Sequence, residues 1–201
     1  MRGRMALLVS DLNYQHREVL LRDKPAHMLS LSPKGTVPVF LTEDRQVIDE
    51  SLDLMLWALN QADPFHWLEG DPQIRDVLIK ANDGPFKYHL DRYKYASRFS
   101  SKAERGDVDI SHRQKAEAYL EALERRLETS ENLLGFHPTL ADIAIFPFIR
   151  QFANTDREWW LTSAYANLRA WLDHHTNSIY FETIMQKFPL WQESGDKIDQ
   201  I

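Results

Sequence analysis

Residues 32–51 read Ser32-Pro33-Lys34-Gly35-Thr36-Val37-Pro38-Val39-Phe40-Leu41-Thr42-Glu43-Asp44-Arg45-Gln46-Val47-Ile48-Asp49-Glu50-Ser51, and the architecture of the N-terminal part turns on this stretch. Pro33-Lys34-Gly35 is a turn, because proline presets φ and glycine accepts backbone conformations that other residues avoid. The β-branched and aromatic run at 36–41 predicts a strand, Glu43-Asp44-Arg45 a hairpin loop, and Gln46-Val47-Ile48 the returning strand. Ser51 reads as the cap of a helix with Leu52, Met55, Leu56 and Leu59 on one face.

Working outward, residues 1–11 predict a helix with Met1, Met5, Leu8 and Leu12 on one stripe, and residues 14–21 a strand. Pro25 opens a short helix over 25–31. Downstream, Gln61-Ala62-Asp63-Pro64 and Gly70-Asp71-Pro72 bracket a linker. Beyond it the period is helical throughout. Ala116, Leu120, Leu123 and Leu127 form the apolar stripe of a helix near 112–127. Another helix starts at Thr139 with Asp142 three residues on, a capping-box-like pair, and runs through Ile143, Ile145 and Phe146. Pro147 is expected to kink it or end its first part. Further helices are predicted at 163–174 and 178–187. The fold class is therefore α/β plus all-α: a small domain over 1–62, a linker over 63–72 and a helical domain over 73–201.

Composition narrows the function. The chain has 201 residues, 43% hydrophobic and 27% charged, as an ordinary globular protein does. A net charge of -6 without a basic stripe argues against a nucleic-acid partner, and no apolar run is long enough for a membrane span. The absence of cysteine removes disulfides, thiolate metal sites and a cysteine nucleophile. A cytoplasmic location is the expectation. Of the eight histidines, His174 and His175 are adjacent and point apart on a helix, and no chelating spacing joins the others, so no metal site is expected. Trp159-Trp160 and Phe65-His66-Trp67 read as packing residues.

Three segments together resemble the cytosolic glutathione transferases. They are Ser32 through Val39, the corner Ile48-Asp49-Glu50-Ser51, and Thr139-Leu140-Ala141-Asp142-Ile143-Ala144. The resemblance implies a thioredoxin-like N-terminal domain followed by an all-helical C-terminal domain. It also implies a strand and a catalytic loop ahead of the first helix. Met1-Arg2-Gly3-Arg4 offers no capping side chain and puts cations at the positive end of the dipole. The expectation is thus a thioredoxin-like domain lacking its first strand, with the catalytic residue upstream of Met1. On that view the strands at 14–21 and 36–41 stand about 9–10 Å apart, two strand spacings, and the chain expressed alone aggregates or melts early.

The same resemblance assigns candidate site residues. A cis Val37-Pro38 peptide would leave the Val37 backbone free to pair with an extended peptide; the alternative is a proline on an edge strand. Glu50 and Ser51, at a helix N-terminus, suit the γ-glutamyl group of glutathione, against plain capping for Ser51 and a solvated acid for Glu50. Lys34 suits the glycyl carboxylate, or is an exposed turn lysine. Tyr88, Arg92 and Tyr95 are candidates for a second-substrate pocket, or belong to an exposed helix carrying a Lys87–Asp91 pair. The implied function, in the full-length form, is binding of glutathione, as co-substrate and with no other cofactor, and transfer of its thiolate to a small electrophile or exchange with a disulfide. The alternative is a non-catalytic binding or regulatory module of the same fold. A homodimer is implied by resemblance alone.

Overall fold

The structure, a computed structural model, describes residues 1–191. The chain divides into two compact units, Met1–Phe65 with Ile179–Ile201, and His66–Ser178. The division between 65 and 66 lies inside the linker stretch, and the last helix groups with the first unit.

In the first unit, α1 (Arg2–Val9) packs on α3 (Ser51–Gln61), with α2 (Ala26–Leu31) between them in sequence. The hairpin is β1 (Phe40–Leu41) antiparallel to β2 (Val47–Ile48), in the register Phe40 to Ile48 and Leu41 to Val47. Gly3 makes the helix pair possible: a Cβ there would lie 2.5 Å from Leu54 Cδ2. Because α10 (Ile179–Ile184) also packs against α1, this helix is covered on more than one side. Met5, Ala6, Leu7 and Val9 are all buried, whereas Met1 is exposed and Leu8 and Leu12 only partly covered. The single stripe expected for α1 is therefore replaced by burial around the helix.

Three expectations are corrected here. Residues 14–21 are not a strand: only isolated bridges form, Glu18 to Leu190 and Leu20 to Asp23. Tyr14, Leu20 and Leu21 are exposed, so no buried face exists to fix a strand. Instead the C-terminal residues hold this segment, with Trp191 N–H donating to Glu18 C=O at 2.9 Å and the Arg17 guanidinium 4.7 Å from the Trp191 ring. The strand over 36–41 shrinks to Phe40–Leu41, since Pro38 has no N–H for a ladder. Finally, Ser51 is not the cap of α3; Glu50 occupies that position in an extended conformation and contributes no side-chain bond.

In the second unit, α4 (Pro72–Ala81) passes through one π-helical turn at Asn82–Phe86 into α5 (Lys87–Lys94). Asp71 starts α4 by accepting from the N–H groups of Gln73 at 2.8 Å and Ile74 at 3.3 Å. The remaining helices are α6 (Ile110–Leu127), α7 (Leu140–Ala153), α8 (Arg157–Thr162) and α9 (Ala166–Thr176). The predicted stripe of α6 is buried as a set. Thr139 and Asp142 form the capping box of α7. Pro147 does not end that helix, which runs on to Ala153 with Pro147 buried inside it. Packing of Ile143, Phe146, Ile149 and Phe152 offsets the hydrogen bond the proline removes.

Candidate functional site

Ser32, Lys34, Asp49 and Glu50 converge where β2 enters α3. Asp49 is the hub: its Oδ2 accepts from Ser32 Oγ at 2.7 Å and its Oδ1 from Lys34 Nζ at 3.0 Å. Lys34 Nζ also donates to Glu50 Oε1 at 2.8 Å. The turn ahead of Val37 is thereby tied to the helix start from two sides. The Ser32 hydroxyl and then Lys34 hold the Asp49 carboxyl below the usual range, and Glu50 and Asp49 raise the Lys34 ammonium above its own.

Val37 follows the turn. Its peptide to Pro38 is cis, and its surface is 52% exposed. Among the described residues neither its N–H nor its C=O is hydrogen-bonded. In α3 the first bonded N–H is that of Leu54, to Glu50 C=O at 3.0 Å. The N–H groups of Ser51, Leu52 and Asp53 therefore have no partner among the described residues, as at any helix start without a side-chain cap. Ser51 Oγ accepts a long bond from buried Arg2 Nη1 at 3.5 Å. The corner thus offers a cation, an anion, a hydroxyl and free N–H groups, beside the unpaired main chain of Val37.

The second group of candidates lies on α5. Lys87 and Asp91 are paired, as their spacing predicts. Arg92 is stacked between Tyr88, 3.5 Å from its ring centre, and Phe99, 4.4 Å away. Tyr95 belongs to a different stack, under Arg98 at 4.1 Å. Tyr88 and Arg92 are therefore brought together, and Tyr95 is not brought to them. Tyr88 keeps half its surface exposed.

Some features escape sequence reasoning. His89 and His112, on α5 and α6, meet Nδ1 to Nδ1 at 2.7 Å, and burial lowers the pKa of both. No regular spacing signals a pair formed across two helices. His175 is buried between Phe146 and Trp171, and desolvation pushes it down to about 3. Among the described residues, no group of three or more histidine, aspartate or glutamate side chains is placed to hold a metal ion. Nor is any described helix long and apolar enough to cross a membrane.

Comparison with known proteins agrees with this architecture. Residues 1–66 match the family model of the glutathione S-transferase N-terminal domain, and residues 43–174 that of the C-terminal domain. A poplar glutathione transferase superposes with a TM-score of 0.74 at 19% identity, covering 91% of this chain and 89% of that one. A second, from Populus trichocarpa, gives 0.73 at 21% identity, covering 91% and 90%. A glutathione S-transferase-I solved with lactoylglutathione bound gives 0.72 at 19% identity, covering 91% of each. At these identities the solved structures show the fold alone. No curated protein gives a significant sequence match. The chain belongs to the glutathione S-transferase family, with a thioredoxin-like N-terminal domain reduced to a two-stranded sheet and a helical C-terminal domain.

Proposed function

We propose that this protein binds glutathione as an extended peptide along the backbone of Val37, with the γ-glutamyl head at the Glu50–Ser51 corner. In the complete protein the bound thiolate then attacks an electrophilic carbon and displaces its leaving group, or attacks a disulfide and releases one of its sulfurs as a thiol. The observation that carries the reading is the unpaired, exposed backbone of Val37, next to a helix start whose first N–H groups are free. A peptide pairs with such an edge through main-chain bonds, and a carboxylate is favoured at such a helix start. Family membership supports the reading, as does the neighbour solved with lactoylglutathione. For the second substrate, Tyr88, exposed over Arg92, is the foremost contact among Tyr88, Arg92 and Tyr95.

The test is an assay of the purified protein for conjugation of glutathione to an aryl halide, for thiol transfer to a mixed disulfide, and for peroxide reduction. Activity in at least one is expected of the complete protein. Folded protein that binds glutathione but is inactive in all three would favour the non-catalytic module. Folded protein that does not bind glutathione would overturn the proposal.

A further inference from the structure

We propose that Lys34 recognises the α-carboxylate of the γ-glutamyl head group, rather than the glycyl carboxylate at the opposite end of the tripeptide. This rests on the glutathione reading and assigns a residue within it. The Lys34 ammonium is held at the corner by two carboxylates, Asp49 at 3.0 Å and Glu50 at 2.8 Å, both in the residues immediately before α3. Asp49 is itself fixed by the Ser32 hydroxyl at 2.7 Å, so the anchor is not a mobile surface acid. The glycyl carboxylate lies two residues further along the ligand, roughly 7–10 Å away in an extended chain. A lysine tethered at the helix start is therefore at the wrong end to serve it.

The chemistry of the corner matches the head group. An α-amino acid carries its ammonium and carboxylate on one carbon, so its partner needs an anion and a cation side by side. Glu50 and Lys34 are such a pair, in direct contact. On binding, the ligand's ammonium takes Glu50, and its carboxylate takes Lys34 together with the free N–H groups at the start of α3. Asp49 retains Lys34 at the corner once Glu50 has turned to the ligand.

The experiment is calorimetric titration of the full chain with glutathione and with its glycyl monoethyl ester, which lacks only the glycyl charge. Lys34→Gln is expected to weaken glutathione binding roughly tenfold or more, and to weaken binding of the ester by the same factor. Lys34→Arg, which keeps the cation, is expected to retain affinity for both. A loss seen with glutathione that vanishes with the ester would place Lys34 at the glycyl end and overturn the assignment. So would unchanged affinity in Lys34→Gln, or an equal loss in Lys34→Arg. Wild-type protein that binds neither ligand would overturn the glutathione reading and this assignment with it, an outcome visible before any variant is made.

Discussion

The indole N–H of Trp171, on α9, donates to Asp142 Oδ1 at 2.9 Å inside the helical unit. Asp142 is fully buried and also accepts from Leu133 N–H at 2.8 Å and from Thr139 N–H and Oγ1, each at 2.9 Å. Burial pushes its carboxyl up, and these bonds pull the other way. All four of these groups are arranged as donors to the one buried carboxyl. One carboxylate thus caps α7, pins the segment before it and ties α9 to both.

Asp142→Ala leaves buried N–H groups at Leu133, Thr139 and Trp171 without a partner. Each such group costs about 1–3 kcal/mol, so a total of about 3 kcal/mol or more is expected. Trp171→Phe removes a single donor and should cost less. Urea unfolding measures both; a loss below about 1 kcal/mol for Asp142→Ala would show that the carboxylate is dispensable.

Gly3 on α1 faces Leu54 of α3 with no room for a Cβ between them. Valine there drives its side chain into buried Leu54, and overpacking of this kind costs about 1–3 kcal/mol. Gly3→Ala is milder, because better helix propensity offsets part of the clash by up to about 1 kcal/mol. Thermal unfolding should therefore rank wild type above Gly3→Ala and Gly3→Ala above Gly3→Val. A Gly3→Val protein as stable as wild type would remove the close approach from the account.

His175, His89 and His112 are all held below the ordinary imidazole value of 6.5, chiefly by burial. A depressed folded-state pKa means that the unfolded chain binds the proton more readily. Their contribution is thus intact above pH 6.5 and is lost as pH falls, for His175 down to about 3. Around His175 the neighbours are the Phe146 and Trp171 rings and His174, with no carboxylate among the causes of its shift. His175 contributes a slope of up to about 1.4 kcal/mol per pH unit. Denaturant unfolding at about pH 7.5 and about pH 5 isolates this range from most carboxylates. A fall in stability is expected, smaller in His175→Phe. Equal stability at the two pH values would contradict it.

Where patterning is strong and local, the sequence reads directly into structure. The α6 stripe Ala116, Leu120, Leu123 and Leu127 and the Thr139–Asp142 box need only neighbours within one helix, and both are formed. Residues 14–21 read as a strand but form only isolated bridges, and their partner was not legible because the bridge at Glu18 runs to Leu190 at the other end of the described chain. Ser51 shows a limit of one residue: the helix begins one position earlier than a capping serine implies. At the site, Glu50, Ser51 and Val37 were legible as residue types in a known order, but the role of Asp49 was not. Its bonds to Ser32 and Lys34 join positions 17 and 15 residues away, which only the folded turn brings together.

The central claim, that the corner at Glu50 and Ser51 is a glutathione-binding site, is tested most directly by calorimetric titration of glutathione into wild type, Glu50→Ala and Ser51→Ala. Saturable binding is expected in wild type, weakened by about 1–3 kcal/mol in each variant through lost charge-assisted hydrogen bonds. Absence of binding by folded wild-type protein, or unchanged affinity in both variants, would contradict the account.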